Sequence, residues 1–348
     1  MLRAEVKQEA HKHLKEAPMM KAIRFYEYGK PEVLKLEELE RPQPKPGEVL
    51  VKVEAAGVNY SDIARRQGVY PEHTPLPYIP GTEVAGRVIA LGAGVVEMEV
   101  GAQVVSLARN GGGYAEYVTL PAALLMPIPQ NLDAVQAAAI PLQGLTAYHL
   151  LKTSDRLQPG ESVLIHAAAG GVGTLAVQLA KVLGAGLVIA TASTQTKLDL
   201  AQSLGADIGI NYTEEGWSQQ VREATGGKGV DIILEMVGGT IFEENFTCLA
   251  PFGRVVVFGS TSRQESALSL LEVGLQLFSQ SQSLVGFNVG NIIARPDMME
   301  PTMTALFDYI GSGRVKLQVN HVFPLAEAAA VHHMMQGRQT TGKVVLQP

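Results

Sequence analysis

The fold is decided by the stretch Val163-Leu-Ile-His-Ala-Ala-Ala-Gly-Gly-Val-Gly173, which runs directly into Thr174-Leu-Ala-Val-Gln-Leu-Ala-Lys-Val-Leu-Gly184. It begins as an apolar strand, turns at a glycine-rich loop and continues as a helix. Leu175 and Leu179 recur at helical spacing, and Gly184 is placed to end the helix. A strand, a loop and a helix within ~30 residues predict one unit of a parallel α/β sheet.

The glycine turn has the spacing Ala168-x-Gly170-x-x-Gly173, with alanine in place of the first glycine of the usual dinucleotide-binding fingerprint. In such a turn, backbone N–H groups approach a pyrophosphate at the positive N-terminus of the helix. A tight turn that only packs the helix against the strand is the alternative. The strand, loop and helix around the glycines favour a bound dinucleotide.

Apolar runs rich in valine and isoleucine alternate with helix-length segments from about residue 146. Their continuous apolar character predicts strands covered by helices on both faces, and six of them predict a doubly wound parallel sheet. The six runs are Ser162–Ala168, Leu187–Ala192, Ile208–Tyr212, Asp231–Val237, Arg254–Gly259 and Leu284–Phe287.

Short strands broken by proline and glycine are typical of residues 20 to about 145, and they predict a mainly antiparallel β-domain. These strands are Lys21–Tyr28, Glu48–Ala56, Val84–Leu91, Gln103–Leu107 and Tyr114–Leu120.

The predicted domain boundaries lie where the short strands broken by proline and glycine change to apolar runs that alternate with helix-length segments. Residues 316–348, with a helix predicted over Phe323–Gln336 and a strand over Lys343–Gln347, are too few to fold alone and are assigned to the β-domain. The predicted organisation is a tail of residues 1–19, a β-domain of residues 20–145 and 316–348, and a doubly wound domain of residues 146–315.

The composition excludes several classes of protein. The 348 residues are 46% hydrophobic, which predicts globular domains, and a formal charge of −6 argues against nucleic acid as a partner. No run of about 18 apolar residues predicts a membrane span, and residues 1–19 lack the apolar core of a signal peptide. The single cysteine, Cys248, excludes an internal disulfide framework and is compatible with the cytoplasm.

The residues that follow the next strand, Leu187–Ala192, indicate whether the cofactor is NADH or NADPH. NAD-binding proteins place an acidic residue here to hold the ribose 2′-hydroxyl, but no Asp or Glu occurs between Glu161 and Asp199. Ser193 and Lys197 supply a hydroxyl and a positive charge instead, which favours a 2′-phosphate. The sequence therefore predicts NADPH, and a solvated lysine on the next helix is the alternative.

Several motifs in order resemble the medium-chain dehydrogenase/reductase superfamily, in its zinc-free quinone oxidoreductase (zeta-crystallin-like) branch. The motifs are Gly57-Val-Asn-Tyr-Ser-Asp62, Pro80-Gly-Thr-Glu-Val-Ala-Gly86, Gly113-Tyr-Ala-Glu-Tyr117, Gly144-Leu-Thr-Ala-Tyr148, His166-Ala-Ala-Ala-Gly-Gly-Val-Gly173, Asn211-Tyr-Thr-Glu-Glu215 and Thr341-Gly-Lys343. The resemblance covers about residues 20–348. It implies a GroES-like β-domain, a Rossmann domain, and a homodimer paired through the edge strand near Leu284–Val289.

The resemblance also implies the contacts of the cofactor. It places the pyrophosphate on the glycine turn, the 2′-phosphate near a lysine, a tyrosine and an arginine, and the nicotinamide near two strand ends. In chain order these residues are Asn59, Thr146, Gly170, Gly171, Val172, Gly173, Lys197, Tyr212, Phe258, Gly259, Ser260, Phe287, Asn288, Val289 and Arg338. Each has a structural alternative when taken alone, such as a packed aromatic ring for Tyr212 or a surface side chain for Arg338.

No metal is expected. Zinc alcohol dehydrogenases, which resemble this chain, carry a catalytic cysteine where Asn59 stands and a His-Glu pair where Thr82-Glu83 stands. Catalytic zinc needs three protein ligands and an open position, and Glu83 alone does not provide them. The eight histidines are scattered along the chain.

These features predict hydride transfer from NADPH to an electron-poor acceptor, with a quinone as the first choice. Asn59, Ser61 and Tyr70 are the candidate catalytic residues, because each can donate a hydrogen bond to the developing oxyanion or relay a proton. Two alternatives remain open: an NADPH-dependent reductase of the C=C bond in an enal, enone or enoyl thioester, and a non-catalytic NADPH-binding protein.

Overall fold

A computed structural model describes residues 18–262 and 267–348. The tail predicted over residues 1–19 therefore lies almost wholly outside the described residues. The chain divides into two compact units, each described by itself below. The first comprises the described residues through Pro127 together with Phe323–His333 and Leu346–Pro348, and the second comprises Ile128–Val322 and Met334–Val345. The boundaries predicted at residues 145 and 316 stay a prediction.

The first unit is built on antiparallel strands. Its strands are β1 (Met19–Arg24), β2 (Lys35–Glu40), β3 (Glu48–Val58), β4 (Glu83–Leu91), β5 (Gln103–Leu107), β6 (Tyr117–Pro121) and β7 (Met126–Pro127), and its first helix is α1 (Tyr60–Gln67). Strands β1 and β2 form a separate antiparallel pair, while β3 pairs with both β4 and β6. Gly86 of β4 pairs with Val53 of β3 beside a shift in register, and a Cβ there would approach the carbonyl oxygen of Lys52, so only glycine fits.

Two strands near the C-terminus, β14 (Val319–Pro324) and β15 (Lys343–Gln347), cross the boundary between the units. They extend the larger sheet, whose order is β14-β15-β3-β4-β5-β7 with β6 beside β3. The expected mainly antiparallel sheet is thus confirmed.

The second unit contains a six-stranded parallel sheet, as the apolar runs predicted. Its strands are β8 (Ser162–Ile165), β9 (Leu187–Ala192), β10 (Ile208–Asn211), β11 (Val230–Glu235), β12 (Leu249–Val257) and β13 (Ser283–Gly286). The order β10-β9-β8-β11-β12-β13 reverses direction between β8 and β11, which is the doubly wound topology of a Rossmann domain.

Helices precede, connect and follow the strands of this sheet. They are α2 (Ala134–Ala137), α3 (Pro141–His149), α4 (Gly171–Val182), α5 (Gln195–Ser203), α6 (Trp217–Ala224), α7 (Thr240–Cys248), α8 (Leu270–Gln280), α9 (Gly290–Ile293) and α10 (Pro296–Gly311). A π-helical turn, Leu150–Ser154, follows α3. Val163, Leu164 and Ile165 of β8 are essentially inaccessible to solvent, which agrees with a strand covered on both faces.

The helix predicted over Phe323–Gln336 is wrong in its first third. Burial alternates residue by residue along β14, which ends at Pro324, and a short 3-10 turn, Leu325–Glu327, follows. The helix itself, α11, spans Ala328–Gln336. The pattern over Val319–Pro324 has the period of two that a strand shows, and the fixed φ of proline suits the residue before a helical turn.

Within the described residues, no helix has the length and apolar character that crossing a bilayer requires.

Candidate active site

The glycine turn lies at the carboxyl end of β8 and opens α4. Gly170 is the N-cap residue, in an extended conformation, and the next three residues form the first turn of the helix. The N–H groups at the start of an α-helix have no partner within the helix and point out of its N-terminus. A Cβ on Gly173 would lie 2.4 Å from the carbonyl oxygen of Ala167, so a side chain there does not fit. This turn fits an anionic diphosphate, which needs close approach to backbone amides.

Gln143 closes the other side of the turn. Its side chain is 2% exposed, and its Oε1 would be 2.3 Å from a Cβ on Gly171. The sequence reasoning missed Gln143, although it lies one helical turn before Thr146 on α3, a spacing that puts both residues on one face. Thr146 is also buried, and its hydroxyl donates to the carbonyl oxygen of Leu142 at 2.7 Å.

The motif Thr341-Gly-Lys343 is pinned to the glycine turn. The N–H of Gly342 donates to the carbonyl oxygen of Ala169 at 2.8 Å, and Gly342 forms an isolated parallel bridge with Gly170. Gly342 has a φ of +60°, and a Cβ on it would meet the carbonyl oxygen of Gln318 at 2.3 Å. The motif therefore brings the preceding segment, which contains Arg338, to the edge of the sheet where the glycine turn lies.

A cationic cluster forms from three residues that are far apart in sequence. Lys197 Nζ donates to the carbonyl oxygen of Arg338 at 2.6 Å, and Arg338 Nη1 donates to the Tyr212 hydroxyl at 3.4 Å. Burial, followed by the charge of Arg338, lowers the pKa of Lys197. Among the described residues, no carboxylate forms an ion pair with Lys197 or Arg338. Ser193, half-buried just after β9, precedes the helix that carries Lys197.

The predicted nicotinamide contacts follow two neighbouring strands. Phe258, Gly259 and Ser260 come directly after β12, and Phe287, Asn288 and Val289 come directly after β13. The N–H of Phe258 donates to the carbonyl oxygen of Glu235, and that of Phe287 donates to Val257, so each segment continues the parallel hydrogen-bonding pattern past the strand end. These six residues, Val172 of the glycine turn and the cationic cluster all lie in the second unit.

Asn59 lies in the first unit, where it caps α1 from a buried position. Its Nδ2 donates to Glu83 Oε1 at 2.9 Å and lies 3.3 Å from the Thr82 hydroxyl. Its backbone N–H donates to Asp62 Oδ2 at 2.9 Å, so the side chain and the main chain are both fixed. Sequence reasoning treated Glu83 only as an insufficient metal ligand and missed this pairing.

These residues do not fit a catalytic zinc site. Zinc takes neutral histidine, thiolate or carboxylate ligands, and an amide donor already bonded to Glu83 supplies none of these. Across residues 18–262 and 267–348, no group of three or more His, Cys, Asp or Glu side chains is arranged to hold a metal ion.

The other two candidate catalytic residues also lie in the first unit. The Ser61 hydroxyl is buried and has no hydrogen-bond partner among the described residues. The guanidinium of Arg65 lies 3.9 Å from the centre of the Tyr70 ring, and it also forms an ion pair with Glu72 at 3.3 Å. Arg65, which the sequence reasoning missed, thus holds the segment that carries Tyr70 against α1.

Comparison with known proteins places these features in a family. Residues 45–130 match the alcohol dehydrogenase GroES-like domain, and residues 171–308 match the zinc-binding dehydrogenase family. The chain is 38% identical over 332 residues to a quinone oxidoreductase of Pseudomonas aeruginosa, a match that covers 95% of this chain and 100% of that protein. It is 35% identical to a 2-haloacrylate reductase of a Burkholderia species, over 95% of this chain and 99% of that protein.

A solved structure agrees with these relatives. The quinone oxidoreductase of Escherichia coli, complexed with NADPH, superposes with a TM-score of 0.88 at 34% sequence identity, over 94% of this chain and 100% of that one. Two domain families in the expected order, together with relatives matched from end to end, confirm the resemblance seen in the motifs. The chain therefore belongs to the medium-chain dehydrogenase/reductase superfamily of oxidoreductases, among the relatives of the quinone oxidoreductases.

Proposed function

We propose that this chain is an NADPH-dependent reductase that delivers hydride to a quinone without a metal ion. When bound, NADPH supplies the hydride from C4 of its nicotinamide ring. The observation that carries the proposal is the cluster of Lys197, Tyr212 and Arg338. The relatives whose structures contain NADPH support the same cofactor.

The cluster favours a phosphate over a hydroxyl for a physical reason. Lys197 and Arg338 hold two positive charges close together with no described carboxylate between them, and burial, followed by repulsion from Arg338, lowers the pKa of Lys197. A 2′-phosphate would relieve that repulsion and accept charge-assisted hydrogen bonds. A ribose 2′-hydroxyl would instead need an acceptor here, and no acidic residue stands between the end of β9 and Asp199.

Replacing Lys197 by alanine tests the cofactor. Loss of one charge-assisted contact of ~1.5–3 kcal/mol should raise the Kd of NADPH about ten- to hundred-fold and leave that of NADH nearly unchanged. Calorimetry measures both constants. Lys181→Ala is the matched control, because Lys181 pairs with Asp207 at the far end of α4. Equal losses for NADPH and NADH in Lys197→Ala would refute the role of the 2′-phosphate.

The residues around Asn59 support a quinone as the acceptor, because they do not fit a catalytic metal ion. Without a Lewis acid, an enzyme cannot readily polarise an ordinary carbonyl group, whereas a quinone takes hydride unaided. Asn59, Ser61 or Tyr70 would donate a hydrogen bond to the oxyanion that develops, and a quinolate can take its proton from water. Water exclusion and orientation are the remaining contributions of the protein.

Reduction of an activated C=C bond is the second candidate. The similarity to a 2-haloacrylate reductase favours it, since such a substrate is also electron-poor. A panel of quinones, enals, enones and unsaturated acids, followed by loss of nicotinamide absorbance, separates the two. Activity that falls in proportion to chelated zinc would contradict the metal-free proposal for either acceptor.

We also propose that the chain forms a homodimer and acts in the cytoplasm, as the resemblance to the family implies. The strand β13 is at the edge of the parallel sheet, and the neighbouring α8 exposes Leu270, Leu271, Leu275 and Phe278. An unpaired strand edge beside an exposed apolar helix favours pairing with a second copy. Sedimentation of the purified chain at twice the monomer mass is the expected result.

A further inference from the structure

Four buried polar side chains form a continuous hydrogen-bonded chain beneath the carboxyl ends of the parallel strands. His166 Nδ1 lies 2.7 Å from the Thr191 hydroxyl, and His166 Nε2 lies 2.7 Å from Asn245 Oδ1. Asn245 Nδ2 donates to Glu235 Oε2 at 2.5 Å. Each of the four residues is at most 1% exposed. The mechanism proposed above uses none of them.

The hydrogen bonds of this chain run in one direction. The Asn245 amide donates to the Glu235 carboxylate, so its oxygen must accept from His166 Nε2. In the neutral imidazole, Nδ1 is then left to accept from the Thr191 hydroxyl. All polar atoms that join the four side chains are thereby matched, which is the condition under which a buried polar network fixes one arrangement.

Glu235 is the last of the four hydrogen-bonded side chains, and it fixes a backbone turn. Its Oε1 accepts from the N–H groups of Val237 at 2.5 Å and Gly238 at 2.8 Å. In the part of the chain that the structure describes, no lysine or arginine nitrogen lies within 4 Å of this carboxylate, and His166 Nε2 is 3.5 Å away. The two backbone amides and the Asn245 side chain are therefore the hydrogen-bond donors to this buried carboxylate, so the turn cannot shift without leaving it unpaired.

That turn is in contact with the predicted nicotinamide side of the site. The N–H of Ser262 donates to the carbonyl oxygen of Val237 at 2.7 Å. Gly238 has a φ of +79°, and a Cβ on it would lie 2.5 Å from the Ser260 hydroxyl. The position of Ser260 after β12 therefore depends on the turn that Glu235 holds.

The other end of the chain supports the cationic cluster. The His166 ring packs edge-on against Tyr212 and Trp217, with ring centres 6.5 and 5.3 Å apart. The hydroxyl of Tyr212 accepts a hydrogen bond from Arg338 Nη1. The network thus reaches from the cationic cluster at the end of β10 to the turn after β11. These strands lie on opposite sides of the reversal in strand order, where a dinucleotide crosses the sheet.

We propose that Glu235, Asn245 and His166 are positioning residues that fix the nicotinamide half of the cofactor site relative to the adenosine half. Glu235 holds the Val237–Gly238 turn against Ser260, His166 supports Tyr212, and Asn245 joins the two. This inference rests on the proposed binding of NADPH, and it adds residues that lie below the site without touching the cofactor.

The test compares two ligands. NADPH occupies both halves of the site, whereas 2′-phospho-ADP-ribose lacks the nicotinamide. In Glu235→Gln, one carboxylate oxygen becomes an amide nitrogen, which cannot accept a hydrogen bond, so either the Val237–Gly238 amides or Asn245 Nδ2 loses its acceptor and the link between them is broken. The Kd of NADPH should rise about ten-fold, with a comparable fall in kcat, while the Kd of 2′-phospho-ADP-ribose stays within about two-fold. Glu235→Asp keeps the carboxylate and should restore part of the loss.

Asn245→Leu keeps the inference falsifiable if Glu235→Gln does not fold. This substitution removes the hydrogen bonds that join His166 to Glu235 but leaves the two that Glu235 accepts from the backbone N–H groups of Val237 and Gly238. It should therefore produce the same selective loss in a milder form. Thr302→Val is the matched control, because it removes a buried hydrogen bond to His149 in the same unit and should alter neither Kd. Equal weakening of both ligands, or no weakening of NADPH, would overturn the inference. Failure of the unmodified chain to bind either ligand would overturn the proposed function and the inference with it.

Discussion

Asp155, just after the π-helical turn, provides a quantitative test of the electrostatics of the second unit. The side chain is 2% exposed, and neither carboxylate oxygen has a hydrogen-bond partner among the described residues. Burial raises the pKa of Asp155 from 3.8 to about 8, with Arg254 opposing the shift and Glu161 adding to it. The folded chain therefore holds a proton here that the unfolded chain releases near pH 4.

The sign of the pH dependence follows directly. A carboxyl group whose pKa is raised by folding contributes its stability at low pH, and that stability is lost as the pH rises from about 4 to about 8. The loss is about 1.4 kcal/mol per pH unit and on the order of 5 kcal/mol in total as an upper limit. Asp155→Asn has a similar size and cannot ionise, so it should be more stable than the unmodified chain at pH 9 and differ little at pH 4.

Urea unfolding of both proteins at pH 5, 7 and 9 measures the effect. Asp207→Asn is the matched control, because burial acts to raise the pKa of Asp207 but hydrogen bonds from Lys181 and from the Val188 N–H outweigh it and lower the pKa. The contribution of Asp207 to the free energy of unfolding is therefore present above about pH 4 and constant from pH 5 to 9. A difference between Asp155→Asn and the unmodified chain that does not change with pH would refute the reasoning.

Two further predictions concern the candidate site. Gly171→Ala places a Cβ against Gln143 Oε1 and should raise the Kd of NADPH at least about ten-fold, measured by fluorescence, and Gln143→Ala in the same chain should recover part of the loss. Arg65→Met removes the cation above Tyr70 and the ion pair with Glu72, about 1–2 kcal/mol, so the KM of the acceptor should rise roughly five- to thirty-fold. An equal rise in the KM of NADPH would contradict a role on the acceptor side.

The parallel sheet was predictable because its strands are buried on both faces. Such strands appear as unbroken apolar runs, and the glycine turn between β8 and α4 has its own spacing. The helix over Phe323–Gln336 was wrong because an apolar segment that contains alternating polar residues fits both periods over a few positions. Pro324 is the residue that marks where the strand gives way to the helical turn.

Sequence reasoning indicated those candidate site residues whose role depends on nearby sequence, and it missed those whose partners are distant in sequence. Lys197 lies just past the end of β9 and could be singled out from its position. Only the resemblance indicated Tyr212 and Arg338, and Arg338 joins the other two across more than a hundred residues. The pairing of His166 with Glu235 and Asn245 left no trace in the sequence. A glutamate at the end of an apolar run looks like the end of a strand, and its partners become neighbours only when β8, β11 and α7 pack.

The bridge between Gly342 and Gly170 has a consequence for how the protein is made. All six parallel strands and the glycine turn leave the ribosome before the segment that carries Arg338 and Gly342 is synthesised. Since domains fold as units during synthesis, the Rossmann sheet can form before Arg338 joins Lys197 and Tyr212. Only the completed chain holds all three residues of the cationic cluster, so a ligand that binds this cluster stabilises the finished fold.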